Sequence, residues 1–274
     1  MKTPFHILSP IGKITLAAIM LASFTAASHA AEPTIGSTSL CADSYVLALA
    51  PERVAELSWQ SRSALSRATP AQRALPQIWD SPEIIAASRS DMILFGSGEG
   101  ALAARLGKPF QQLTWGEDFD SIKVNAEMIA KSLGRPDTLS ADLTARLSAL
   151  KARSDARGVT PKVLYLARSG GSAGSGTLVD AVISAAGGVN ILETSGWASP
   201  DPEILLGLKP DLIVTSYFEN GYESVNAAGA RNKALRAYIK RFPSVHIDGA
   251  LWPCAGPNLI EATEILADAM DELP

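Results

Sequence analysis

Apolar and polar positions along the chain alternate in two rhythms, short apolar runs and longer stretches of helical spacing. "PTIGSTSL", "RVAELSW", "DMILFG" and "PFQQLTW" read as strands in the first half. "ADSYVLALAP", "SPEIIAAS" and "ALAARLG" read as helices. The second of these opens on Ser81, with Pro82 at the first helical position and Glu83 in the first turn. A capping hydroxyl, a fixed φ and the helix dipole favour those residue types there. Strands alternating with such helices predict βαβ units and a parallel sheet. From Asp120 to Arg157 the strand signal vanishes. Ile122, Ala126, Ile129 and Leu133 keep helical spacing, Gly134-Arg135-Pro136 breaks it, and Leu139, Leu143, Leu147 and Leu150 mark one face of a second helix. About 18 residues at roughly 1.5 Å each make that helix a rod of about 27 Å. After Gly158 the alternation resumes. "KVLYLA", "PDLIVTSY" and "SVHIDG" are strands; "TLVDAVISAAGG", "DPEILLGL", "NKALRAYIKRF" and "NLIEATEILADAM" are helices. The expected fold is α/β, with two lobes that each carry a parallel-type sheet flanked by helices, joined by one long helix. The expected boundaries are 32–118 for the first lobe, 119–159 for the helical connector and 160–274 for the second lobe.

One phrase is written twice. "SPEIIAASRSDMIL" (Ser81–Leu94) and "DPEILLGLKPDLIV" (Asp201–Val214) place Pro, Glu, Ile, Asp and Ile at the same offsets, 120 residues apart. Two lobes of similar build account for the repetition.

The first thirty residues change the picture of where the chain works. Lys2 and Lys13 give a positive start, Ile14–Thr25 is apolar, and Ser28-His29-Ala30 is a small-x-small cleavage pattern. Residues 1–30 therefore read as a secretory signal peptide, and the mature chain as an exported protein; the periplasm as its location is what the resemblance given below implies. Removing Lys2 and Lys13 from the 24 basic residues leaves 22 against 28 acidic ones, a formal charge of −6. That balance argues against nucleic acid or an anionic membrane surface as partner. Of the three histidines only His246 remains in the mature chain, which removes His-cluster zinc sites and most histidine catalysis. No cofactor and no resident metal are expected.

Two motifs invite an enzymatic reading. "ARSGGSAGSGTL" follows a strand and precedes a helix, but Gly176-Thr177 has no lysine before it, and Val179 stands where a dinucleotide fingerprint needs its third glycine. Gly170-Gly171-Ser172-Ala173-Gly174 matches a nucleophile elbow. An exported serine hydrolase would use Ser172 as nucleophile and His246 as base, with Asp211 or another acid orienting it; this is the alternative function. "SVHIDG" puts His246 inside a strand rather than on a loop, so its structural reading is preferred.

The tryptophans point elsewhere. Trp59, Trp79, Trp115 and Trp252 each follow a short strand-like run, and Trp197 lies in the loop before the second repeat. Ligand crevices of open parallel sheets lie beyond the carboxyl ends of the strands, so these rings are expected to line one aromatic cleft.

With these pieces in order, the mature chain resembles the periplasmic substrate-binding proteins of ABC importers for ferric siderophores, haem and vitamin B12. "IGSTSLCADSYVLALAPERVAELS" is similar to that family's first strand, helix and second strand. "AGSGTLVDAVISAAGGVNI" is similar to its second-lobe entry, and "WPCAGPNLIEA" to its final loop and helix. The resemblance implies a monomer, not an enzyme, that holds one metal chelate (ferric siderophore, corrinoid or haem) between two lobes and passes it to an inner-membrane permease. It implies that Glu83 and Glu203, one per lobe, meet arginines of the permease. Arg168, Ser216 and Tyr217 are candidates for orienting the ligand beside the tryptophans. The resemblance further implies that the loops bearing Cys41 and Cys254 face the cleft from opposite lobes. Three readings of the two cysteines stand: a disulfide across the cleft, thiols touching the ligand or its metal, or two separate buried thiols.

Overall fold

The computed structural model describes residue 1 and residues 32–101, 103–167, 170–216 and 232–274. The signal-peptide expectation and the candidates Arg168 and Tyr217 fall outside the described residues.

The first sheet is parallel, with order β3-β2-β1-β4-β5. Its strands are β1 Ile35–Ser37, β2 Val54–Ser58, β3 Gln77–Ile78, β4 Met92–Phe95 and β5 Phe110–Gln112. Between them run α1 Leu40–Leu49, α2 Pro70–Arg73, α3 Pro82–Ala87 and α4 Ala103–Leu106. Two helices follow with no strand between them, α5 Phe119–Ser132 and α6 Thr138–Arg157. At about 1.5 Å per residue, the 20 residues of α6 span roughly 30 Å. The second sheet is also parallel, with order β11-β10-β6-β8: β6 Lys162–Ala167, β8 Val189–Asn190, β10 Leu212–Ser216 and β11 Ser244–Ile247. Its helices are α7 Leu178–Ala185, α8 Pro202–Gly207, α9 Lys233–Ile239 and α10 Leu259–Asp271. A small antiparallel pair, β7 Ser172–Ala173 with β9 Trp197–Ala198, stands apart from both sheets.

The two sheets repeat one plan. From β1, strands β4 and β5 lie to one side and β2 to the other; from β6, strands β10 and β11 lie to one side and β8 to the other. Helix α3 precedes β4, and α8 precedes β10. The duplicated phrase therefore occupies the same slot in each lobe.

Both faces of each sheet are buried, as parallel sheets require. The period-2 alternation of side chains sorts them. Leu94, Val163, Tyr165, Leu212 and Val214 face a large common core. Leu164, Leu166 and Ile213 face a second cluster with Leu205 and Tyr238, and Ile93 and Phe95 face a third with Ile78 and Ile85. The common core also takes in Val46 of α1, Ile122 and Ile129 of α5, Leu143 and Leu150 of α6, and Leu266 of α10. Pro33–Pro274 is accordingly one compact unit, its two sheets sharing an uninterrupted apolar centre.

Ion pairs fasten α6 along the second lobe. Arg146 Nη2 contacts Glu264 Oε2 at 2.5 Å, Arg153 Nη2 contacts Asp268 Oδ1 at 2.7 Å and Asp271 Oδ2 at 2.6 Å, and Arg157 Nη2 contacts Asp271 Oδ1 at 2.6 Å. The guanidinium of Arg153 holds the Asp271 carboxyl below the usual carboxylate range, with Arg157 assisting.

Candidate functional site between the two lobes

The connection order reverses at β1, whose chain continues to β2 on one flank while β4 pairs on the other. A crevice opens at the carboxyl ends of neighbouring strands at such a point. Ser39 after β1, Gly96 and Ser97 after β4, and Leu113, Thr114 and Trp115 after β5 line a cavity there. Leu178 at the start of α7, and Cys254 and Ala255 ahead of α10, close it from the second lobe. Its volume is about 140 Å³, below the roughly 300–1,000 Å³ of sites that enclose drug-sized ligands. A large ligand would rest on this floor and extend past its rim.

Hydrogen bonds fix the floor. The Glu99 carboxylate accepts from the Thr38 hydroxyl at 2.6 Å and the Gly96 N–H at 2.9 Å, tying the ends of β1 and β4 together. Asn125 of α5 donates to the Thr114 carbonyl at 3.0 Å and accepts its N–H at 2.8 Å, holding the segment that carries Trp115. Glu117 accepts the Leu178 N–H at 2.9 Å, a link from one lobe to the other. Behind the floor, the buried Asp43 carboxylate accepts from the hydroxyls of Ser37 and Ser58 and from the Ser58 N–H. Burial pushes its pKa up, although those hydrogen bonds oppose the rise.

The cysteines are joined. Cys41, on the first turn of α1, and Cys254 are bonded, with Cα atoms 5.7 Å apart, within bridging reach. One turn along α1, the Tyr45 hydroxyl donates to the Ala255 carbonyl at 2.8 Å. Burial pushes the Tyr45 pKa strongly upward, so the phenol stays neutral and its hydrogen bond intact. Of the three readings of the cysteines, the bridge is the one present; free thiols touching a ligand and separate buried thiols give way to it. The bridge forms part of the cavity wall rather than crossing open space.

The tryptophans divide. Trp115, 73% exposed, lines the cavity. Trp252 is a correction to the expected cleft: it is only 3% exposed, packs on the buried Tyr165 at 5.3 Å between ring centroids and belongs to the common core. The chain turns through a short 3₁₀ segment, Gly249–Leu251, after β11, and this directs the indole inward. Trp59, Trp79 and Trp197 are exposed but are not among the residues lining the cavity. Ser216 ends β10 with its hydroxyl buried and without a hydrogen-bond partner among the described residues, as is the Trp252 Nε1. Glu83 and Glu203 are exposed in the first turns of α3 and α8. Glu99, Glu117 and Asn125 carried no motif in the sequence; only the strand order reveals that the loops after β4 and β5 meet at one crevice.

The hydrolase alternative is not supported. Ser172 is 1% exposed on β7, and its hydroxyl donates to the Tyr165 carbonyl at 2.6 Å. A nucleophile has to reach its substrate and its base. His246 Nδ1 instead lies 3.3 Å from the Thr215 hydroxyl on the adjacent strand, as its structural reading expects.

No family model matches the chain and no curated protein matches it in sequence. Solved structures do. The periplasmic heme-binding protein RhuT from Roseiflexus sp. RS-1 superposes with a TM-score of 0.67 at 21% identity, covering 87% of this chain and 97% of that one. A periplasmic heme-binding protein from Pseudomonas aeruginosa gives 0.65 at 19% identity, covering 88% and 94%. The periplasmic vitamin B12-binding protein BtuF of Vibrio cholerae gives 0.64 at 19%, covering 87% and 96%. This chain therefore shares the fold of these periplasmic heme- and vitamin B12-binding proteins.

Proposed function

We propose that the protein captures a metal chelate in the periplasm and delivers it to an ABC importer of the inner membrane. The observation that carries this reading is the cavity at the β1/β4 strand ends, walled by both lobes, in a fold shared with haem and vitamin B12 binders. Burial of a flat or greasy ligand face against Trp115 would supply affinity. Polar groups of the floor would set its orientation, with Arg168, Ser216 and Tyr217 as candidates from the second lobe. Glu99 and Glu117 put two carboxylates in the wall, which favours a neutral or weakly charged ferric siderophore or a corrinoid over a polyanionic chelate. Haem is the third candidate, and it takes a Tyr, His, Cys or Met axial ligand. Tyr45 reaches the wall, but its hydroxyl is committed to Ala255 and its pKa is raised.

Titration of the mature protein with cyanocobalamin, a ferric hydroxamate and haemin, followed by Trp fluorescence and visible absorbance, tests this. Saturable one-to-one binding of one chelate is expected. Absence of binding to all three, with the protein folded, would overturn the reading. Delivery is supported by the twin placement of Glu83 and Glu203, one per lobe, which suits a two-fold permease bearing basic residues.

A further inference from the structure

Structural disulfides of exported proteins resist reduction, whereas exposed or strained ones exchange. Three features place the Cys41–Cys254 bridge with the second kind. Both cysteines are half-buried rather than enclosed. Cys254 has φ 63°, the one non-glycine residue in the left-handed region among the described residues. A residue bearing a Cβ holds that conformation only when its surroundings impose it. Cys41 is the second residue of α1, where the positive end of the helix dipole stabilises a thiolate. The Asp43 carboxylate works against that. It lies two positions on, however, away from the Cys41 side of the helix, and it already accepts from Ser37 and Ser58.

The bridge is a wall between two cavities. On one side is the cavity at the β1/β4 strand ends, about 140 Å³, lined by both cysteines. On the other is a cavity of about 290 Å³, lined by Leu40 and Ser44 of α1, by Pro253, and by Arg67 and Asn258. A packed core leaves no room for a side chain to swing; here Cys254 has vacant volume on either side. Its segment is otherwise tied to α1 by the Tyr45 hydroxyl, which donates to the Ala255 carbonyl at 2.8 Å. Gly256 also approaches α1 closely, since a Cβ there would stand 2.9 Å from the Ser44 hydroxyl oxygen.

We infer that the Cys41–Cys254 bridge is a redox latch on the ligand site, opened in the folded protein by a dithiol. One thiolate of the dithiol attacks Cys254 Sγ. A bond forms between those two sulfurs, the Cys41–Cys254 bond breaks, and its electron pair leaves on Cys41, the better leaving group because it departs at a helix N-terminus. The second thiolate of the dithiol then attacks the mixed disulfide and expels Cys254. Two electrons and two protons have passed to the cysteines, and the dithiol has become its own disulfide. Cys254, released, relaxes out of the left-handed region and draws Pro253 and Ala255 away from the wall, so that the two cavities join. A wall that has to be re-formed on binding costs affinity. The oxidised protein is therefore the high-affinity state, and reduction releases the ligand. That the wall holds a chelate rests on the function proposed above; the exchange at the bridge does not.

Three measurements on the mature protein separate these steps. Reduction by dithiothreitol is followed by thiol alkylation and mass spectrometry. Its rate should rise in proportion to dithiol concentration and change by less than about twofold between zero and about 1 M urea. A bridge reached only through global unfolding would be reduced roughly a hundredfold faster at the higher urea concentration, and that result would overturn the latch. With mercaptoethanol, a monothiol, the trapped adduct should sit on Cys254 and the alkyl group on Cys41; the reverse placement would overturn the direction of attack. Amide hydrogen exchange is then compared among the oxidised protein, the dithiothreitol-reduced protein and Cys41→Ser with Cys254→Ser. Over times at which α6 stays protected in all three, amides of residues 253–258 should exchange about tenfold faster in the two unbridged forms. Equal exchange would overturn the movement of the wall. Finally, cyanocobalamin, a ferric hydroxamate and haemin are titrated by visible absorbance into the oxidised and double-serine proteins, so that no reductant touches the metal. Whichever chelate binds should bind about tenfold more weakly to the double-serine protein, and equal affinity would overturn the coupling of bridge to ligand. Exchange and wall movement as expected, in a protein that binds none of the three chelates, would sustain the latch and refute the proposed function.

Discussion

The Cys41–Cys254 bridge closes a loop that takes in most of the chain, and its removal has a calculable effect. The cysteines are 213 residues apart in sequence. By the chain-entropy relation, a bridge closing a loop of that length restricts the unfolded chain by about 5 kcal/mol at 25 °C. In the folded state the bridged ends are also held by the Tyr45–Ala255 hydrogen bond and by the common core. The fold should therefore survive Cys41→Ser with Cys254→Ser, and the loss should appear as stabilisation of the unfolded state. With a urea slope of roughly 3 kcal/mol/M, the midpoint should fall by about 1.5–2 M. Urea titrations by far-UV circular dichroism of the oxidised, reduced and double-serine proteins measure this, with thiol counts taken on the unfolded, unreduced chain. The reduced and double-serine forms should coincide. A midpoint shift under about 0.3 M would refute the entropic argument, and two free thiols in the unreduced protein would refute the bridge itself.

Trp115→Ala should weaken chelate binding by on the order of 1–3 kcal/mol, as loss of an aromatic anchor does; unchanged affinity with a normal fold would remove the ring from the site. Ser172→Ala should leave chelate binding unaffected, and an esterase activity abolished by that substitution would revive the hydrolase. Glu56→Gln should cost about 1–3 kcal/mol of stability, because the buried carboxylate accepts from the hydroxyls of Ser88 and Ser90 and from two backbone N–H groups. Burial raises its pKa, but those hydrogen bonds outweigh the rise and leave it below the usual glutamate range. The stability this carboxylate contributes is thus fully present above the unfolded value of about 4.3 and is lost as pH falls through the lower folded value. Urea midpoints measured from pH 3 to 7 should show a smaller acid-side loss in the Gln variant, and parallel curves would contradict the assignment.

Much of the architecture was legible in the order of residues. Short continuous apolar runs located the strands β4, β6 and β10, and leucines at helical spacing located α6 with its buried Leu143 and Leu150, because those patterns are imposed locally by two-sided or one-sided burial. The repetition of Pro, Glu, Ile and Asp located α3 and α8, since caps and dipoles act within a single turn. Two-residue strands such as β8, β7 and β9 left no pattern; they exist because a neighbouring backbone supplies hydrogen bonds. The site was less legible still. Four of the five tryptophans look alike from sequence, each following a short strand-like run, yet Trp252 turns into the core, Trp115 reaches the cavity and Trp79 is exposed. Which way a ring points depends on the loop geometry after each strand and on what packs behind it. The pairing of Cys41 with Cys254 likewise could not follow from their positions at opposite ends of the chain. It required β1 and β11 to end beside one crevice, an outcome of strand order and of the core shared by the two sheets.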